Sequence, residues 1–310
     1  MNYEAGLSLR RQLPADMLVE QWIAPGGWPH RRFRLQAHGQ PKGQMLFLGG
    51  RGDFFEKYLE AIGAWRDLGW TVSGFDWRGQ GGSGQLHPGG FCHVDDFATF
   101  IGDLEAFCRD WAVEGSGPHV AIGHSMGGHI LLRAALDGRV KLDGIVLLSP
   151  MLGIRAGPVR GRAMHRLASI GRIGPISGHP IWRGTRSPAP GRVTSCPERQ
   201  ADKLWWKLVR PELGRSGPTW GWLAAATESI AELDRDLRTR PLEIPGLLLA
   251  AADDPVVELA AIDAAAKLLS TFEYRLIRGA GHELLRERDG PRNEALALIS
   301  GFLDRLAASR

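Results

Sequence analysis

The chain has 310 residues, of which 44% are hydrophobic and 23% are charged, and this balance is typical of a folded globular protein. No apolar run approaches the roughly 20 residues that a membrane-spanning helix needs, and the N-terminal residues lack the apolar core of a secretory signal. The three cysteines, Cys92, Cys108 and Cys196, are too few and too widely spaced to indicate a disulfide framework or a zinc site. We therefore expect a cytoplasmic protein without a metal or cofactor.

The formal net charge is only +4, but it is unevenly placed along the chain. Residues 151–200 hold nine arginines and a single acid, Glu198, so this segment alone carries +8. Such a segment can attract phosphate or an anionic lipid surface, which predicts transient contact with a membrane. Alternatively, these arginines form an ordinary solvent-exposed face, since the chain uses Arg far more often than Lys. No nucleic-acid partner is predicted, and the oligomeric state is left open.

Eight apolar or β-branched runs, each bounded by Gly, Pro or Asp, predict strands along the chain. They are 18–24, 31–37, 44–49, 70–76, 119–124, 143–149, 246–251 and 272–278. Helical patterns lie between them, at 54–68, 94–113, 126–137, 259–270 and 291–308. This alternation predicts an α/β fold with a mostly parallel eight-stranded sheet and helices on both faces. The first two strands have no helix between them, so we expect them to form an antiparallel edge.

The segment 151–240 interrupts the alternation. It is rich in Gly, Pro and Arg, holds five of the eleven tryptophans and shows no buried strand pattern. We interpret it as a cap, or lid, inserted over one end of the sheet, with residues 1–150 and 241–310 forming the core. Its tryptophans either line an apolar pocket or form the small core of the cap itself.

The stretch AIGHSMGGHI, residues 121–130, places Ser125 between Gly123 and Gly127. A buried strand precedes it and a helical pattern follows, so Ser125 lies at a strand-to-helix turn. This is the position of a nucleophile elbow, which raises a serine hydroxyl above the edge of the sheet. The two glycines are needed because side chains there would collide with the strand and the helix.

A serine hydroxyl needs a base to take its proton, and the base needs an acid to orient it. In this architecture both follow later strands, in the order Ser, Asp, His. Asp253 and Asp254 come just after the run 246–251, and His282 follows the last strand. His124 and His129 flank the elbow, but from their positions on the strand and helix we expect packing or polar support. The sequence therefore predicts a Ser-His-Asp hydrolase.

An oxyanion hole requires two backbone N–H donors. The helix N-terminus supplies the N–H of Met126. In LFLGGRGDFFEKY, Gly49 and Gly50 allow the loop after the third strand to approach closely, and the N–H of Arg51 is the second candidate.

A second glycine motif, RGQGGSG, matches G-x-G-x-x-G at Gly79, Gly81 and Gly84. A dinucleotide site requires a helix to begin directly after such a motif. Pro88, Gly89 and Gly90 stand where that helix would form. We therefore expect no nicotinamide or flavin site here.

Together these segments resemble the α/β-hydrolases of the lysophospholipase and monoacylglycerol lipase type over nearly the whole chain. The resemblance is carried by GGRGDFFEKY (49–58), DWRGQGGSG (76–84), GHSMGG (123–128), VTSCPER (193–199), PTWGWL (218–223), ADDPVV (252–257) and GAGHELLRERDGPR (279–292). It implies Ser125 as nucleophile, His282 as base, and Asp254 rather than Asp253 as acid. It also implies an oxyanion hole at Arg51 and Met126, a cap after the sixth core strand, and a substrate that is an ester of a long acyl chain with glycerol or glycerophosphate.

The sequence departs from the family at two places. Gly49 stands where many relatives have His before the oxyanion loop, and Cys196 replaces the Asp of T-S-D-P-E-R in the cap. Two other functions stay open: a broad carboxylesterase for short acyl groups, and a non-catalytic hydrolase-like binding protein. Ser125 excludes the chemistry of an epoxide hydrolase, which needs Asp at the elbow. An aminopeptidase would need acids in the cap, where residues 151–200 have only Glu198.

Overall fold

The computed structural model describes residues 7, 9–155, 176–182 and 193–308. Its central sheet has eight strands. The strands are β1 (Leu18–Ile23), β2 (Pro29–Leu35), β3 (Gly43–Leu48), β4 (Trp70–Phe75), β6 (His119–His124), β7 (Gly144–Leu148), β9 (Gly246–Ala251) and β10 (Phe272–Ile277). Two short strands, β5 (Phe91–Cys92) and β8 (Ser216–Pro218), pair separately. Every predicted strand is therefore confirmed, with its ends displaced by at most two residues.

The order across the sheet is β1-β2-β4-β3-β6-β7-β9-β10. From β4 to β10 all neighbours are parallel, whereas β2 is antiparallel to both β1 and β4. The predicted antiparallel edge is thus confirmed. Parallel strands end at the same edge, so the loops after β3, β6, β9 and β10 converge there.

Seven helices accompany the strands in the described ranges: α1 (Leu59–Asp67), α2 (Ala98–Trp111), α3 (Met126–Leu136), α4 (Pro197–Val209), α5 (Trp220–Leu237), α6 (Leu259–Ala266) and α7 (Asp289–Ala308). Side chains of β6 alternate between two apolar layers, with Ala121 in one and Val120 and Ile122 in the other. Helices α2, α3 and α6 cover the first layer, and α1 and α7 cover the second. The predicted α/β-hydrolase architecture, with helices on both faces, is confirmed.

Two helices of the segment 151–240, α4 and α5, have no counterpart in the predicted pattern. Trp222 of α5 packs into the first core layer beside Phe97, and Trp206 of α4 packs into the second. These two tryptophans therefore belong to the main core and not to a separate core of the segment. Of the nine arginines in residues 151–200, only Arg155 and Arg199 lie within the described residues.

No helix in the described ranges combines the length and apolarity that a membrane crossing requires.

Candidate active site

The nucleophile elbow forms between β6 and α3. Ser125 has φ of +53°, a left-handed conformation that is rare for a residue with a side chain. A Cβ on Gly123 would lie 2.6 Å from the Cα of Gly128, and a Cβ on Gly127 would lie 2.5 Å from the carbonyl oxygens of Leu48 and Gly49. The predicted need for glycine on both sides of Ser125 is thus met by backbone atoms that leave no room for a side chain.

Ser125, His282 and Asp254 form one hydrogen-bonded chain. Nε2 of His282 lies 2.8 Å from Oγ of Ser125, and its Nδ1 lies 2.7 Å from Oδ2 of Asp254. All three residues are buried, with at most 7% of their surface exposed. These distances suit a proton that passes from the serine to the imidazole while the carboxylate holds the ring.

Asp253 and Asp254 are both candidates for the acid of the triad, and their surroundings in the structure differ. Asp253 is exposed, whereas Asp254 contacts His282. The other oxygen of Asp254, Oδ1, accepts the N–H groups of Val256 at 2.8 Å and Val257 at 3.0 Å. Burial by itself raises the pKa of Asp254, but the adjacent His282 and these hydrogen bonds outweigh it and hold the pKa below its usual value. Asp254 is therefore ionised at neutral pH.

The loop after β3 lies against Ser125. A Cβ on Gly50 would lie 3.2 Å from the Cβ of Ser125, so glycine permits this approach. The N–H groups on either side of Arg51 are held by side chains: Gly50 donates to Asp53 at 2.8 Å, and Gly52 donates to Gln80. These bonds fix the loop and leave the N–H of Arg51 as its candidate oxyanion donor, opposite Met126 at the start of α3.

Behind this loop lies a buried network of charges that was not predicted. Lys57 is fully enclosed and forms ion pairs with both Asp53 and Glu283, the residue after His282. Burial raises the pKa of Asp53, but Lys57 and His124 outweigh it and bring the pKa well below its usual value. Lys57 therefore connects the oxyanion loop to the loop of the catalytic base.

His124 makes a second connection between the same two loops. Its Nε2 lies 3.2 Å from the carbonyl oxygen of His282, and its Nδ1 lies 3.1 Å from the hydroxyl of Tyr58, which donates to Asp53. Burial lowers the pKa of His124, and the nearby Asp53 opposes this shift. The expectation that His124 gives polar support fits these contacts, and His129 bonds to Ser229 at 2.7 Å on the far side of the elbow.

The RGQGGSG segment has a structural place beside the elbow. Residues 86–89 form bends and a turn where a dinucleotide motif would begin a helix. Gln80 is buried in this segment, and its side chain contacts both the N–H of Gly52 and the sulfur of Met126, the latter at 3.9 Å. It therefore braces the loop that carries one candidate oxyanion donor against the residue that carries the other.

The guanidinium of Arg51 points towards aromatic side chains of the segment 151–240. It lies 5.6 Å from the ring of Trp182 and 5.3 Å from the ring of Trp222. These cation–π contacts join the oxyanion loop to that segment.

A groove of about 350 Å³ lies next to helices α5 and α6, and its lining does not include Ser125, Asp254 or His282. Its lining is mostly apolar and comes from the stretch after β7 and from α5 and α6, including Leu152, Ile230 and Ala261. The preceding residue, Met151, donates its N–H to the carbonyl oxygen of Ser125 at 3.0 Å. The groove thus begins one residue from a direct support of the elbow.

Curated relatives match over most of the chain. Lysophospholipase L2 of Escherichia coli strain K12 is 29% identical over 302 residues, which cover 88% of this chain and 83% of that protein. The probable lysophospholipase L2 of Haemophilus influenzae is 25% identical over 281 residues, covering 88% and 87% of the two chains.

Among solved structures, a soluble variant of monoglyceride lipase from Saccharomyces cerevisiae superimposes with a TM-score of 0.77. The match covers 96% of this chain and 97% of that one at 18% identity, a level at which the likeness concerns the fold. The family model described as Serine aminopeptidase, S33 matches residues 39–289, which include Ser125, Asp254 and His282. The chain therefore belongs to the serine aminopeptidase S33 family of α/β-hydrolases.

Proposed function

We propose that this chain is a serine hydrolase that cleaves the carboxylic ester of a single-chain lipid, a lysophospholipid or a monoacylglycerol, through an acyl-enzyme on Ser125. The predicted class of enzyme, a carboxylic ester hydrolase, is supported by the relatives named lysophospholipase and monoglyceride lipase. The observation that carries the proposal is the Ser125–His282–Asp254 chain of hydrogen bonds at a left-handed elbow.

In the first half of the reaction, Oγ of Ser125 attacks the ester carbonyl while Nε2 of His282 takes the hydroxyl proton. The N–H groups of Arg51 and Met126 donate to the oxyanion of the tetrahedral intermediate. His282 then gives its proton to the departing alcohol, glycerol or a glycerophosphate ester, and the acyl group stays on Ser125. Asp254 keeps the ring oriented and stabilises the imidazolium.

In the second half, His282 takes a proton from water, and the resulting hydroxide attacks the acyl carbonyl. The oxyanion again forms between Arg51 and Met126. The proton on His282 returns to Oγ of Ser125, which leaves as the free hydroxyl, and a fatty acid is released. In these steps protons move only between Ser125, His282, the departing alcohol and water, so no other titrating group is required.

The acyl chain is long in this proposal, because the groove lined by Leu152, Ile230 and Ala261 offers an apolar volume suited to a lipid tail. The residues 151–240 act as a cap over the site, and the contacts of Trp182 and Trp222 with Arg51 support this arrangement. The predicted attraction of the Arg-rich segment for phosphate or a membrane surface falls mostly on residues outside the described ranges.

The test compares hydrolysis of a lysophospholipid and a monoacylglycerol of the same acyl chain, together with a chain-length series of nitrophenyl esters. Long chains should give the higher kcat/KM. Ala261→Trp, which narrows the groove, should move the optimum to shorter chains, while Ala98→Trp at the exposed start of α2 should leave it unchanged. A preference of the wild-type protein for acetyl and butyryl esters would replace the proposal with a short-chain carboxylesterase.

A salt titration of kcat/KM separates the headgroups. Attraction between the Arg-rich segment and a phosphate is screened with a Debye length of about 8 Å at physiological ionic strength. Activity on lysophosphatidate should therefore fall more steeply with salt than activity on monoacylglycerol. Parallel curves would mean that this positive charge is a solvated face and that the neutral ester is the better substrate.

A further inference from the structure

Helix α4 buries two charged side chains and leaves two leucines exposed, which a normal surface helix does not do. A helix on a globular protein turns its apolar side chains inward and its charges outward. In α4 the buried positions are Arg199, Asp202 and Trp206. Its exposed large apolar residues are Leu204, Leu208 and Val209, with 58%, 79% and 50% of their surface exposed.

The outward residues form one continuous stripe. Leu204 and Leu208 are four residues apart and therefore adjacent on the helix surface, and Ala201 lies three residues before Leu204. Ala201 and Pro197 are also exposed, and the exposed Glu198 borders Ala201 in the first turn of the helix. We call the set Ala201, Leu204 and Leu208 the outer face.

Buried ion pairs hold α4 in place and explain why its outer face is free. Arg199 donates to Glu60 at 2.7 and 2.8 Å and to Asp289 at 2.8 Å. Asp202 accepts from Arg10 at 2.5 Å and from Arg11 at 2.6 Å. The helix is anchored to the core by its charged side, so its apolar stripe is not needed for packing within this chain.

Charged side chains and an indole flank the outer face. Arg10 and Arg11 both pair with Asp202, and the acids Glu60, Glu198 and Asp289 also lie near Arg10. The half-buried Trp205 borders the stripe, with the guanidinium of Arg11 5.5 Å from its ring. Residues 151–200, which run directly into α4, carry a formal charge of +8. Apolar side chains bordered by cations and an indole are the features of a helix that lies in a lipid interface.

We propose that the outer face of α4 docks on an anionic lipid bilayer, with Leu204 and Leu208 inserted among the acyl chains. The choice of a lipid bilayer as the partner rests on the proposed function, since a lipid-ester hydrolase takes its substrate from a lipid phase. The position is suitable, because α4 packs against the turn Phe55–Tyr58, which directly follows the oxyanion loop. Docking by this face therefore places the side of the molecule that carries the turn Phe55–Tyr58 against the membrane surface.

The experiment measures flotation of the full-length protein with vesicles of phosphatidylcholine and about 30% phosphatidylglycerol, an anionic surface. Leu204→Gln/Leu208→Gln should weaken the partition by about tenfold or more, since both leucines lose their burial in lipid. The matched control is Leu18→Gln/Val113→Gln, which changes two residues that are 50% and 85% exposed elsewhere. It should alter the partition by less than about twofold.

Hydrolysis of a water-soluble nitrophenyl ester is measured on the same preparations. Equal rates for the wild type and the α4 variant would show an intact site, and selective loss of vesicle binding would then support the proposal. Selective loss of binding without hydrolysis of any ester would support the docking face and defeat the proposed function. Undiminished vesicle binding in the variant would overturn the proposal. The proposal would also be overturned if the wild type were a dimer that does not bind vesicles and the variant were a monomer. A second copy of the chain would then cover the outer face.

Discussion

Asp254→Asn should lower kcat strongly although the two side chains have nearly the same size, because the surrounding hydrogen bonds fix the orientation of the amide. Oδ1 of Asp254 accepts two backbone N–H groups, from Val256 and Val257. The carbonyl oxygen of the asparagine must take this position, since an NH₂ group would meet two donors. The NH₂ group then faces Nδ1 of His282, where Oδ2 now lies at 2.7 Å.

This arrangement forces the wrong tautomer on the base. Nδ1 of His282 must accept the amide proton, so the ring proton resides on Nε2 and points at Oγ of Ser125. The imidazole can no longer take the serine proton, and loss of the imidazolium partner adds to the effect. A loss of about 10⁴-fold in kcat is expected, equivalent to about 5 kcal/mol in the activation barrier.

The assay is kcat on a water-soluble nitrophenyl ester, with the melting temperature as a check on folding. Asp253→Asn is the matched control, because Asp253 is exposed and adjacent in the chain. It should retain kcat within about twofold. The reasoning is refuted if Asp254→Asn keeps a tenth or more of the wild-type kcat, or if Asp253→Asn is the more damaging change.

Three further changes test the surroundings of the triad. Gly127→Ala places a Cβ 2.5 Å from the carbonyl oxygen of Leu48 and should cost about 1–3 kcal/mol of unfolding free energy in denaturant titration, whereas Gly102→Ala, with open space around it, should cost nothing. Asp53→Asn loosens the loop of Arg51 and should lower kcat about 10- to 100-fold with little change in KM for a soluble ester; an unchanged kcat would mean that the buried charges only stabilise the fold. Burial, with the nearby Arg133, lowers the pKa of His129 to about 3, so the unfolded chain binds a proton below about pH 6.5 that the folded protein does not, and stability is lost as pH falls from 6.5. His129→Gln should therefore lose about 2 kcal/mol less stability than the wild type between pH 7 and pH 5, and identical losses would show that His129 is protonated in the folded protein.

The sheet and the positions of the candidate triad were open to prediction for a physical reason. Parallel strands buried on both faces are continuous apolar runs, and β6, β7 and β9 stand out from the glycine and aspartate that bound them. Polar residues directly after such runs must lie at one edge of the sheet, which is why Ser125 and His282 could be placed together from their positions after strands.

The charged network and the segment 151–240 could not be predicted in the same way. Lys57 and Glu283 are of residue types that usually lie on the surface, and only the fold shows that they are enclosed between two loops. The pattern of α4 is apolar on one side, but nothing in the sequence tells that this side faces outward. The sequence likewise does not show that Asp254 accepts the N–H groups of Val256 and Val257 with its second oxygen.

The most direct test of the catalytic proposal is the site of covalent labelling by a fluorophosphonate. The probe reacts with an activated serine and leaves a stable phosphonyl adduct, which peptide mass spectrometry assigns to a residue. The predicted result is one adduct per chain, on Ser125, that disappears together with ester hydrolysis in Ser125→Ala. An adduct on another serine, or a Ser125→Ala protein that still turns over esters at a comparable rate, would contradict the assignment of Ser125 as the nucleophile.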